Sequence, residues 1–143
     1  MSSYGEADLV TNRVSVLLCA GSEGDRRAWA EEAAAAFPDE GPLVEACDAT
    51  QVAQAFSLRA GVVFVPDASQ LSWAAQRELT RLLREREERP KFILALAPSL
   101  AASTQRGLLR EDLFFALSKG TVDLGSETVK ASISRRRKAK KSR

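Results

Sequence analysis

A chain of 143 residues has the length of one domain, and 45% apolar with 28% charged residues is a globular composition, so a multidomain machine, wholesale disorder and a disulfide-stapled miniprotein are all excluded. Histidine is absent, which removes imidazole-based catalytic dyads and triads, His-bearing zinc sites and imidazole pH switches. The formal charge of +2 conceals an asymmetry: the last nine residues, RRRKAKKSR, hold seven cations and no acid, which leaves 14 basic against 19 acidic residues in the acidic body before them.

In chain order, residues 1–12 are polar and unpatterned and predict a loose N-terminus. Val14 to Ala20 is a branched apolar run closed by Gly21, which predicts a buried strand. Asp25 to Phe37 predicts a helix with Trp29, Ala33 and Phe37 on one face, stopped by Pro38. Leu43 to Ala46 predicts a second strand and Thr50 to Leu58 a short helix carrying Val52, Ala55 and Phe56. Gly61 to Val65 is the strongest strand signal, ended by Pro66 and followed by Asp67.

Trp73 to Glu88 predicts a long amphipathic helix with Leu79, Leu82 and Leu83 on one stripe, ending before Pro90. Phe92 to Ala97 predicts the next buried strand, then a polar turn follows Pro98. Leu108 to Leu117 predicts a short helix, and Val122 to Leu124 a last strand. Alternation of strands and helices predicts an α/β fold of three layers, a parallel sheet between helices, with any site at the carboxyl ends of the strands. Residues 126–143 lose the apolar pattern and predict a disordered basic tail beyond a domain spanning 13–125.

No apolar run reaches the roughly 18–20 residues that span a bilayer, and the opening residues lack a signal-peptide layout, which predicts a soluble, cytoplasmic protein. Cys19 and Cys47, each beside small apolar residues, predict reduced, buried thiols rather than a metal site.

A phosphate site in such a fold would be the loop after the first strand, Gly21-Ser22-Glu23-Gly24-Asp25-Arg26-Arg27-Ala28. The loop chemistry G-x-x-x-x-G-K-[ST] needs a second glycine, a lysine and a metal-binding hydroxyl. Arg26, Arg27 and Ala28 stand at those places, and Glu23 and Asp25 would repel phosphate. Asp67 reads either as a cap on the turn into the following helix or as a lone metal-binding acid. The sequence thus predicts no cofactor and no catalytic residue.

The stretches AGVVFVPDASQLSWAAQRELTRLLREREERP, FILALAPSL and GLLREDLFFALSKGTVDL resemble the AAA+ ATPase domain of bacterial enhancer-binding activators of sigma-54 RNA polymerase. In that family the matching pieces read GTLFLDEIGEL, QAKLLRVLQERE, RVIAATNRDL and GxFREDLYYRLNVxxI. Upstream, GSEGDRRAWAEEAAAAFPDEGPLVEACDA lies over the family's GESGTGKE loop and PFVxxNCAAL strand, with Cys47 on the family's cysteine. The resemblance covers about Val14 to Leu124, and LREDLFFAL is its most specific part.

The resemblance implies a reduced AAA+, P-loop-like core, and its departures imply lost activity. The P-loop glycine and lysine become Arg26 and Arg27, the Walker B Asp-Glu pair becomes Pro66 and Asp67, and the sensor asparagine becomes Ala97. Arg110 matches the first arginine that the family offers to a neighbour's nucleotide, while Ala116 replaces the second. Only about eleven residues separate Ala49 from Gly61, where the family inserts its GAFTGA loop, and neither the helical lid nor the C-terminal helix-turn-helix has a counterpart.

These features predict a pseudo-ATPase: a non-catalytic module, in transcription or signalling, that binds a related AAA+ activator, its own copies or another protein partner. Its degenerate nucleotide site would comprise Gly21, Gly24, Arg26, Arg27 and Asp67, and its interaction surface Arg110, Glu111, Asp112 and Phe115. Leu113, Phe114 and Leu117 read as core. A second reading takes Arg135, Arg136, Arg137, Lys138, Lys140, Lys141 and Arg143 as an electrostatic footprint for nucleic-acid phosphates, weak, salt-sensitive and unspecific. On that reading, removing the tail after Ser134 leaves the fold intact. A third is a response-regulator receiver with Asp67 as phosphoacceptor.

Overall fold

The computed structural model describes residues 4–57, 61–85 and 90–141. The elements alternate: α1 (Glu6–Thr11), β1 (Val16–Cys19), α2 (Glu23–Ala35), β2 (Val44–Glu45), α3 (Ala49–Ser57), β3 (Val62–Val65), α4 (Trp73–Glu85), β4 (Lys91–Leu96), α5 (Leu100–Gln105), α6 (Glu111–Ala116), β5 (Thr121–Asp123) and α7 (Glu127–Lys141). Single 3-10 turns cover Pro38–Glu40 and Ala68–Gln70.

The five strands form one parallel sheet in the order β2-β3-β4-β1-β5. Parallel strands put every carboxyl end on one edge, where the turns at Ala20–Ser22, Pro66–Asp67, Pro98–Ser99 and Leu124–Gly125 lie side by side. The order excludes the receiver reading, because a flavodoxin-like receiver sheet runs 2-1-3-4-5. Gly120 lets β5 close against β1: its carbonyl accepts from Leu17 N–H at 2.8 Å, and a Cβ there would stand 2.4 Å from the Ser15 carbonyl oxygen.

Side chains alternate across the sheet, so its two faces carry separate cores. Leu17, Val63, Val65, Phe92, Leu94 and Leu96 face α3, α4 and α6, where they meet Val52, Ala55, Leu79, Leu113 and Leu117. Val16, Leu18, Val62, Phe64, Ile93 and Ala95 face the other way, onto Leu9, Trp29, Ala30 and Ala33 of α1 and α2, with Val129 and Ile133 of α7 at the margin. Leu113 and Leu117 are core as expected, and Phe114 packs half-buried beside them.

Two segments differ from the sequence expectation. The N-terminal stretch is not loose: α1 buries Glu6, Leu9 and Val10, and the ammonium of Lys91, wholly buried in β4, donates to the carbonyls of Leu9 and Asn12. A cation at those carbonyls satisfies the groups that a helix end leaves open. The basic segment is not disordered either, for α7 is a 15-residue helix lying on α1 and tied to α2 through Glu32.

α7 is held by polar contacts that converge on the buried Glu6 and the half-buried Glu32. Trp29 Nε1 and Ser132 Oγ each donate to Glu6 at 2.6 Å, and Arg136 bridges Glu6 and Glu32, which also accepts from Arg137. Burial pushes the Glu32 carboxyl up, but its hydrogen bonds from Arg137 and Arg136 outweigh that and hold it below the ordinary value.

Smaller differences concern boundaries. A helix, α5, occupies the expected polar turn after Pro98, started by Ser99 Oγ accepting from Ala102 N–H at 3.1 Å. α2 begins two residues earlier than its composition suggests. Leu58 and Glu88, the expected ends of two helices, lie outside the described residues, as does Arg143.

Candidate functional site

The first strand leaves the sheet through a turn of three residues. Ala20 and Gly21 both adopt left-handed backbone, with φ of 66° and 68°, and Ser22 already caps α2. For alanine that conformation costs about 1–2 kcal/mol, while glycine adopts it freely. A side chain at Gly21 would meet Leu124 at 3.0 Å.

The helix entrance is closed by its own side chains. Ser22 Oγ accepts from Asp25 N–H and Asp25 Oδ2 accepts from Ser22 N–H, both at 3.0 Å, which is a reciprocal capping box. Hydrogen bonding from Ser22, first from its backbone N–H and then from its side chain, holds the Asp25 carboxyl below its ordinary value. Ala20 N–H donates to the carbonyls of Leu96 and Pro98 at 3.0 and 3.1 Å.

Arg26, 8% exposed, folds back on the turn, and its Nη1 donates to the carbonyls of Ala20 at 3.0 Å and Gly21 at 2.7 Å. Gly24, the other glycine of the expected loop, lies inside the first turn of α2. The residues predicted as a degenerate phosphate loop therefore form a short turn and a helix start, with a buried guanidinium on the turn's carbonyls.

Arg27 points elsewhere, bonding Glu45 at 2.6 Å and lying 5.4 Å from the Phe64 ring. The hydrogen bond to Glu45 raises its pKa. Asp67 is the expected cap: its Oδ1 accepts from Ser69 N–H at 3.0 Å and Ser69 Oγ at 2.5 Å. Among the described residues no three acids, thiols or imidazoles come together as a metal site. The geometry does not fit a magnesium nucleotide, whose phosphates need free backbone amides, a lysine and a metal-binding acid.

Asp123, at the end of β5, is a residue that the sequence does not single out. It accepts from Leu100 N–H at 3.0 Å and Gly125 N–H at 2.8 Å, tying two turns of the same edge together. Beside it Cys19 is buried, and desolvation, then the Asp123 charge, push its thiol up to about 12. Such a thiol is inert. Cys47 corrects the expectation of two buried cysteines, for it is exposed where edge strand β2 turns into α3.

Of the expected interaction residues, Arg110, Glu111 and Asp112 stand at the start of α6 and Phe115 near its end. Arg110 Nε and Nη2 donate to the two Asp112 oxygens at 3.0 and 3.1 Å, and this fork holds the Asp112 carboxyl below its ordinary value. Arg110 also lies 5.7 Å from the Trp73 ring, and its N–H donates to the buried Gln76 at 2.9 Å. Trp73 is 57% and Phe115 76% exposed, the two largest exposures among the described large apolar side chains. Glu111 and Phe115 line a shallow groove with Arg84 and Gly107.

The basic residues of α7 divide by face. Arg136 is turned inward to Glu6 and Glu32, and Arg137 reaches Glu32. Lys138 lines a groove of about 420 Å³ between α7 and the start of α2, together with Lys130, Ser134, Arg137 and Asp25. Arg135 is exposed and does not line it, and Lys140 and Lys141 complete the helix.

Comparison with known proteins agrees with this architecture. The family model for the sigma-54 interaction domain matches residues 40–126. The structure of the P-loop NTPase domain of a sigma-54 transport activator from E. coli superposes with a TM-score of 0.65 at 17% identity, over 82% of this chain and 87% of that one. Structures of NtrX from Brucella abortus with ADP and with ATP give TM-scores of 0.59 and 0.58, each at 16% identity over 82% of this chain. This chain spans about a third of the length of the NtrX chains, 33% and 34%. No curated protein matches. The matched family span begins beyond the β1–α2 turn.

Proposed function

The chain belongs to the sigma-54 interaction domain family, and on that premise we propose that it is a non-catalytic form of the family's AAA+ core, acting as a protein-interaction module in transcriptional regulation. The closed β1–α2 turn carries this reading. Phosphate binding at such a turn uses backbone amides and a lysine, whereas here Ser22 and Asp25 occupy each other's amides and Arg26 occupies the turn. Asp67 is spent on Ser69, so the acid that would hold magnesium is a cap. A cytoplasmic setting in a bacterium goes with this role.

The surface of Trp73, Arg110 and Phe115 is where a partner would dock, since exposed aromatics flanking a forked Arg–Asp pair are the residue types that dominate interface energies. A related AAA+ subunit or a second copy of the chain is the partner class. Millimolar ATP with Mg²⁺ leaves the melting temperature unchanged and releases no phosphate. A ligand at a hundred times its Kd would add about 2.7 kcal/mol to stability, so a clear upward shift overturns the reading.

Nucleic-acid binding by the basic residues of α7 is a second reading, favoured by one observation. From Lys130 to Lys141 the helix carries seven cations and no acid.

A further inference from the structure

We infer that the groove between α7 and the start of α2 takes the phosphate backbone of a nucleic acid, on a helix face fixed against the body of the protein; the inference rests on the nucleic-acid reading above. Lys130, Ser134, Arg137 and Lys138 recur at helical spacing and all line the groove. Val129, Ser132, Ile133 and Arg136 hold α7 to the protein, through the second core and through Glu6 and Glu32. Lys130, Ser134 and Lys138 thus face the groove, while Ile133 and Arg137 stand at its edge, lining it and also holding the helix to the second core and to Glu32.

From Lys130 to Lys138 the helix advances about 12 Å, the axial distance of roughly three to four phosphates along one DNA strand. Lys130 touches Glu127 only at 3.7 Å, with both side chains well exposed. The one carboxylate in the groove, Asp25, is committed to Ser22 and lies near Arg137, which contributes to lowering its pKa. Anchoring lowers the entropy lost when the cations meet phosphate. A bilayer surface is the poorer occupant, because a helix that lies in a membrane buries its apolar face there, and α7 spends Val129 and Ile133 on the protein's own core.

The test is fluorescence anisotropy of the full chain with a labelled 20-base-pair duplex of arbitrary sequence, titrated across salt concentrations, with anionic and neutral vesicles in parallel. The wild type binds with a negative log–log salt slope. Lys130→Gln together with Lys138→Gln reduces that slope by about two, since each phosphate contact contributes about 0.9. Arg135→Gln, off the groove, leaves it unchanged, and circular dichroism of each variant checks the helix. If Arg135→Gln flattens the slope as much as Lys130→Gln does, the groove is overturned while nucleic-acid binding by the basic segment stands. Absence of duplex binding at low salt, or binding to anionic vesicles alone, overturns both.

Discussion

Arg26 does at residue scale what a ligand would otherwise do: it fills the inner side of the β1–α2 turn and satisfies two carbonyls there. Restoring the P-loop letters does not restore the loop, because the turn has only three residues before α2 begins. Arg26→Gly with Arg27→Lys therefore gains no ATP-induced thermal shift. It also loses about 2 kcal/mol in urea denaturation, since bonds from a charged donor are worth about 1.5–3 kcal/mol. A nucleotide-dependent rise in the melting temperature of that variant contradicts the account. The substitution of lysine and glycine by arginines is visible in the sequence, whereas for Asp67 the cap is one of two readings that the sequence leaves open. What stays hidden is where Arg26 points, because a side chain that bonds its own preceding turn leaves no pattern in the residue order.

Elements with strong apolar periodicity were legible, and those held by polar contacts were not. β1, β3, β4 and α4 announce themselves through runs of branched residues or a leucine stripe, and the structure keeps them to within a few residues. α1 and α7 do not, because their principal fastening joins Glu6 to Ser132 and Arg136 across more than 120 positions. Charged residues at such separations read as a solvated surface. The contact of Arg136 and Arg137 with Glu32 beside it has a pH dependence. The folded carboxyl of Glu32 lies below its ordinary 4.5, so its contribution is complete above that value and is lost as the pH falls through the folded pKa. Hydrogen-exchange protection in α7, taken relative to the intrinsic rate at each pH, falls on acidification below about pH 4.5 before that of β1 and β4 does; simultaneous loss of protection in all three contradicts separate docking of the helix.

At the scale of the whole molecule, one face of the sheet is covered by α3, α4 and α6 and the other by α1, α2 and α7. The basic segment is therefore part of the second layer. Ending the chain after Ser134 removes Arg136 and Arg137 and leaves Glu6 buried against Trp29 without its cation. Removing one partner of a buried pair costs about 3–5 kcal/mol, so the truncated chain unfolds at clearly lower urea concentration, and an unchanged midpoint refutes the integral role of α7. The structure thus replaces the expectation that this truncation leaves the fold intact.

The pairing of α1 with α7 also orders events during synthesis. α1 leaves the ribosome early, yet the arginine and the serine that hold its Glu6 are added more than 120 residues later. Closing so long a loop comes late and slowly. Until it closes, the nascent chain holds a completed sheet with one helical layer still unsealed, and that interval is when a chaperone or a protease has access to it.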